Sequence, residues 1–224
     1  MVSAHVTAER SLRVPRLHVV TDTRAGRNPL PEVEAALSVS ASHGTRITVQ
    51  VRAKDCSDRE LLDLARRVVA LARPVGAMVV VDDRLDVALA AEADGVHLGA
   101  HDLPVRDAVR CAGDHLAVGG TCRNAVDALA AEHAGAAYVG VGPVFATTTK
   151  SGLPDPLGPE GLRAAARGTT LPVVAIGGVT AEVVPELLTA GAHGVAVVGA
   201  VSGAADPQAA TARLLHALGS AVDA

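Results

Sequence analysis

The stretch VVVDDRLDVALAAEADGVHLGAHDLP, Val79 to Pro104, decides how the rest of the chain is read. It opens on a β-branched run, passes through an Ala- and Leu-rich segment with helical spacing from Leu85 to Ala93, and closes on a second apolar run, GVHL at 95–98. Strands apolar on both faces belong to a parallel sheet covered by helices, so the stretch reads as one strand-helix-strand unit. Carboxylates end both strands: Asp82 and Asp83 follow the first, and Asp102 follows the second just past a glycine.

The unit repeats along the chain. LHVV (17–20), ITVQV (47–51), AMVVV (77–81), GVHL (95–98), LAVGG (116–120), YVGVG (138–142), LPVVAI (171–176) and GVAVV (194–198) make eight strand candidates. Between them lie helical segments such as Asp58 to Ala72, Pro104 to Ala112, Asn124 to Ala134, Glu160 to Arg167, Ala181 to Ala190 and Pro207 to Leu218. Even spacing, with no G-x-G-x-x-G after the first strand, predicts a single (β/α)8 TIM barrel of the α/β class in preference to a doubly wound open sheet. Residues 1–15 are expected to form a flexible N-terminal tail and 16–224 the barrel, with Ser151 to Pro159 as a Gly/Pro-rich loop long enough to move.

Composition narrows the function. The 224 residues carry a formal net charge of -4 and only one Tyr and one Phe, which leaves no basic face or stacking platform for nucleic acid. Three Cys without C-x-x-C or zinc spacing suit a reducing cytosol. No run approaches the roughly 18 apolar residues of a spanning helix, and the polar N-terminus has no apolar leader core. A soluble cytoplasmic protein with no membrane partner is expected. The oligomeric state stays open, a homo-oligomer included.

In such a barrel, chemistry sits at the C-terminal ends of the strands. After the second strand, period-two alternation points Gln50, Arg52 and Lys54 the same way, which suits an anion; a solvated strand-to-helix corner is the alternative. Carboxylates on neighbouring strand ends suit Mg2+, which takes one or two carboxylates plus substrate phosphates. Against this, Asp82 or Asp83 serves equally as a turn residue, and Asp102 as a helix cap ahead of Pro104. His97 reads as a packed barrel residue. Thr147, Thr149 and Lys150 offer hydroxyls and a cation after the sixth strand, although a Thr run is also ordinary loop chemistry. Glycines at 177, 178 and 199, after the seventh and eighth strands, let backbone N–H groups approach an anion. Two anion sites and a metal site at one mouth imply an enzyme acting on phosphorylated small molecules.

Five motifs in order carry a resemblance: VTD at 20–22, Q-x-R-x-K at 50–54, DR followed by A-x-G-V-H-L-G-x-x-D up to Asp102, YVGVGPVFATTTK at 138–150 and AIGG at 175–178. From about Leu17 to Leu218 the chain resembles the thiamine phosphate synthase family. The resemblance implies small-molecule substrates: 4-amino-2-methyl-5-hydroxymethylpyrimidine diphosphate and thiazole phosphate, joined to thiamine phosphate by a dissociative transferase. It implies Mg2+ on Asp83 and Asp102. Gln50, Arg52, Lys54 and Lys150 would hold the pyrimidine diphosphate, the three cations stabilising its departure. Thr147, Thr149 and the backbone of Gly178, Val198 and Gly199 would hold the thiazole phosphate. Thr121 would lie near the diphosphate, where the family has a small hydroxyl residue. Three positions depart from the family pattern: Asp82 stands in the diphosphate site where Asn is usual, Ala100 where Gln is usual, and Arg123 where His is usual. The alternatives are a thiazole tautomerase-like paralogue, which uses a His at the position of Arg123 and lacks the carboxylates, and a non-catalytic phosphate-ligand-binding barrel.

Overall fold

The computed structural model describes residues 14–149 and 152–220. Eight parallel strands close into a barrel in chain order: β1 (Leu17–Val20), β2 (Thr48–Val51), β3 (Met78–Asp82), β4 (Gly95–Leu98), β5 (Ala117–Cys122), β6 (Tyr138–Val141), β7 (Val173–Ile176) and β8 (Gly194–Val197), with β8 pairing back onto β1. The expected (β/α)8 architecture is present. Helices follow the strands: α1 (Leu30–His43), α2 (Asp58–Ala72), α3 (Leu85–Ala90), α4 (Val105–Ala112), α5 (Ala125–His133), α6 (Gly158–Ala166), α7 (Val184–Thr189), the one-turn α8 (Gly199–Ser202) and α9 (Pro207–Ser220). Among the described residues, no helix is long and apolar enough to cross a membrane.

Alternation along each strand builds two apolar layers. Outward residues such as Val49, Val51, Val79 and Val81 join the helix residues Leu61, Ala65 and Val68 in the main core. Helix α2 shows why the sequence folds this way locally. Ser57 and Glu60 form a reciprocal capping box at its start, satisfying donors that the first turn leaves unpaired. Its buried residues Leu61, Ala65, Val68, Val69 and Ala72 recur at helical spacing, so one stripe faces the barrel.

The inward layer is smaller and joins Val14, Val20, Tyr138, Val174 and Ala196. Tyr138 fills the barrel axis because its neighbour in register is a glycine: a Cβ on Gly119 would stand 2.2 Å from the Tyr138 ring. Of the expected N-terminal tail, residues 1–13 lie outside the described residues. Val14 is buried, and the Pro15 carbonyl accepts a hydrogen bond from His18 Nε2 at 3.1 Å. Burial, followed by the nearby His97, pushes the His18 imidazole down to about 3, so this ring is uncharged near neutral pH.

Candidate active site

The strand ends open into a cavity of about 730 Å3. Val20, Ile176 and Ala196 are among its apolar lining residues. Gln50, Arg52, Lys54, Asp82, Asp83, Asp102, Thr121, Thr147, Thr149, Gly178, Val198 and Gly199 all line it, so every site residue expected from the sequence and described here meets the same space. Lys150 lies outside the described residues.

One wall, built from β2, β3 and β4, is charged. Gln50 Nε2 donates to Asp82 Oδ1 at 2.8 Å, and Arg52 Nε and Lys54 Nζ stand 3.4 Å and 3.7 Å from Asp82 Oδ2. Lys54 also contacts Asp83. Asp82 is therefore turned into the site and holds the cations expected for an anionic ligand. Thr21 fixes the strand end beneath them: its hydroxyl donates to the Arg52 carbonyl at 2.9 Å, and its oxygen accepts the Arg52 N–H at 2.8 Å. Burial and then the adjacent Asp83 push the Asp82 carboxyl up to about 6, against the pull of Lys54, Arg52 and Gln50.

Asp83 takes a left-handed backbone with φ 65°, uncommon for a residue with a side chain and a mark of strain at a site. The turn reading is thus correct for its backbone, while its side chain lines the cavity. Asp102 does not cap α4. Its Oδ2 accepts the Gly99 N–H at 2.7 Å, and the residue before α4 is Pro104, with no side-chain cap. Asp83 and Asp102 reach each other: burial and Asp83 push Asp102 up, whereas Lys54 and Asp102 outweigh burial and hold Asp83 down. Two carboxylates brought together fit a small divalent cation, which takes one or two carboxylates plus substrate oxygens. No cluster of three or more His, Cys, Asp or Glu with metal-binding geometry occurs among the described residues. Substrate oxygens would therefore complete the shell of any Mg2+ held here.

The opposite wall, from β6, β7 and β8, carries no charge among its described residues. Thr147 Oγ1 donates to Thr149 Oγ1 at 3.2 Å and accepts the Thr149 N–H at 3.2 Å. Thr149 Oγ1 lies 3.8 Å from where a Cβ on Gly199 would stand, so the threonine loop and the turn after β8 face each other closely. Gly178, at φ 65°, passes so near the same loop that a Cβ would sit 2.6 Å from the Ala146 carbonyl oxygen. Only glycine permits that approach.

Other residues support this geometry without a clear sequence signal. Arg24, gripped by the buried Asp22 at 2.8 Å, donates to the Thr148 carbonyl at 3.2 Å and steadies the threonine loop from the β1 side. Arg123 stands outside the cavity lining and donates to the carbonyls of Gly142 (3.0 Å) and Asp155 (2.8 Å). His97 lines the cavity and reaches Tyr138 Oη and Thr121 Oγ1, so it is more than packing. Its neighbours come from β5 and β6, so only the sheet register brings the three together.

The profile described as thiamine monophosphate synthase matches residues 17–201. The chain is 54% identical over 204 residues to the thiamine-phosphate synthase of Salinispora tropica, covering 91% of this chain and 97% of that protein. It is 44% identical over 205 residues to the thiamine-phosphate synthase of Chloroflexus aurantiacus, covering 91% and 92%. Among solved structures, thiamine phosphate pyrophosphorylase from Pyrococcus furiosus superposes with a TM-score of 0.82 at 36% identity, covering 92% of this chain and 96% of that one. The chain belongs to the thiamine monophosphate synthase family.

Proposed function

We propose that the chain is a thiamine-phosphate synthase. It couples 4-amino-2-methyl-5-hydroxymethylpyrimidine diphosphate with thiazole phosphate and releases diphosphate. The observation that carries this reading, beside the family, is one cavity with two unlike walls. The charged wall, once a metal sits on its carboxylates, would suit a diphosphate, and the hydroxyl-and-glycine wall a monophosphate. Two phosphorylated substrates held face to face need no further chemistry than positioning and charge control.

Charge decides what the first wall requires. Arg52 and Lys54 face three carboxylates, Asp82, Asp83 and Asp102, so this wall alone repels a polyanion when all are ionised. Asp83 and Asp102 would hold Mg2+, which supplies neutralising charge to the diphosphate. Arg52 and Lys54 then exchange Asp82 and Asp83 for diphosphate oxygens, and Lys150 is assigned to the same group. The bond from the pyrimidine methylene carbon to the diphosphate oxygen breaks, with both electrons leaving on oxygen. The thiazole nitrogen closes its lone pair on the resulting cation. No side-chain nucleophile takes part. Among the cysteines, Cys122 is buried with its thiol pushed up to about 11, and the cavity lining includes none.

Purified protein mixed with both substrates is expected to form thiamine phosphate with Mg2+ and to lose turnover with a chelator. Binding of both substrates without product would overturn the synthase reading in favour of a non-catalytic barrel. Isomerisation of a thiazole carboxylate phosphate without coupling would favour a tautomerase.

A further inference from the structure

A line of polar groups runs from the barrel axis into the cavity: Tyr138 Oη to His97 Nδ1 at 3.1 Å, then His97 Nε2 to Thr121 Oγ1 at 3.0 Å. Its members sit on three adjacent strands in direct register, His97 beside Gly119, and Gly119 beside Tyr138. Small residues make room for it. A Cβ on Gly119 would overlap the Tyr138 ring, and one on Gly140 would stand 3.0 Å from His97 Cε1. The His97 and Tyr138 rings stack at 5.6 Å, which leaves the imidazole little freedom to rotate.

We propose that Tyr138 and His97 are positioning residues that fix the direction of a single hydroxyl, so that Thr121 offers its proton to the anionic leaving group. This inference rests on the synthase reading above. The reasoning starts at the buried end. Tyr138 is 1% exposed, and His97 is the hydrogen-bond partner of its hydroxyl among the described residues. A buried O–H left without an acceptor forfeits the hydrogen bond it made to water, so the phenol donates to His97 Nδ1. The neutral ring then carries its proton on Nε2 and donates it to Thr121 Oγ1. Thr121, which makes no other side-chain hydrogen bond among the described residues, keeps its own proton for the cavity it lines. In the opposite arrangement Thr121 would donate to His97 and turn a lone pair toward diphosphate oxygens. The direction also separates this trio from a nucleophile and its base. A ring holding its proton on Nε2 cannot take one from Thr121.

Two measurements test the proposal. In 15N NMR of the whole protein, His97, assigned by the signal lost in His97→Gln, should be neutral and protonated on Nε2 near pH 7.5. Protonation on Nδ1, or on both nitrogens, would overturn the proposal whether or not the protein turns over substrate. In kinetics, Thr121→Ala should lower kcat about 10²-fold, the usual loss for one preorganised donor, with Thr121→Ser within about threefold of wild type. Tyr138→Phe should lower kcat roughly tenfold with little change in KM, and should cause no further loss in the Thr121→Ala background. Additive losses would mean that Tyr138 acts through packing alone and would contradict the proposal. Should Tyr138→Phe fail to fold, the wild-type tautomer still decides. A wild-type protein with the expected tautomer and no coupling activity would break the synthase reading and leave the proton direction standing.

Discussion

The two walls of the mouth cavity differ in kind. From β2 to β4 the lining is side-chain charge: Gln50, Arg52 and Lys54 are already paired with Asp82 and Asp83, and Asp102 lies beside them. From β6 to β8 it is backbone and hydroxyl: Thr147, Thr149, Gly178, Val198 and Gly199, shaped by close approach. A wall of opposed charges can be retuned by one substitution, because removing a partner redirects those that remain. A wall of glycines and threonines depends on shape, so a single added methyl should damage it more than the loss of one charge damages the other wall's form.

The largest expected effect lies on the charged wall. Arg52→Ala should lower kcat about 10²-fold or more, as losing one preorganised contact to developing charge commonly does. A rate within a few-fold of wild type would remove Arg52 from leaving-group stabilisation. Next comes Gly178→Ala on the neutral wall. A non-glycine residue at this φ costs about 1–3 kcal/mol, and its Cβ meets the Ala146 carbonyl. The KM for thiazole phosphate should rise about tenfold while binding of the pyrimidine diphosphate stays unchanged, which calorimetry on each ligand would check. The smallest effect has the opposite sign. Asp82→Asn removes the carboxylate that occupies Arg52 and Lys54, and should lower the KM for the pyrimidine diphosphate by about two- to fivefold, the scale of a partly screened ion pair. A raised KM would mean that Asp82 helps to hold the ligand.

The walls also differ in how far the sequence exposes them. The charged wall was legible because strand ends project alternate residues, and Gln50, Arg52, Lys54, Asp83 and Asp102 stand out against apolar runs. The barrel was legible for the same reason, through repeated buried strands. The helix over 30–43 is weakly marked in the sequence. Its buried positions Leu30, Val33, Ala36, Leu37 and Ser40 keep helical spacing, but Ala and Ser occupy both the buried and the outer face and blur the apolar stripe. Contacts between distant loops were illegible too. Arg24 meets the Thr148 carbonyl and Arg123 meets Asp155, and a backbone acceptor leaves no mark in sequence. In the sequence His97 shows only as a packed barrel residue, because its partners, Thr121 and Tyr138, are 24 and 41 residues away and join it only through register.

The division of labour between the walls is the central claim, and crossed substrate kinetics test it most directly. KM for each substrate is measured in Lys54→Ala and in Thr149→Ala. Lys54→Ala should raise the KM for the pyrimidine diphosphate alone, and Thr149→Ala that for thiazole phosphate alone, each about tenfold, the scale of a lost hydrogen bond to a charged group. If either variant raised both KM values equally, the two walls would not hold separate substrates and the account would fail.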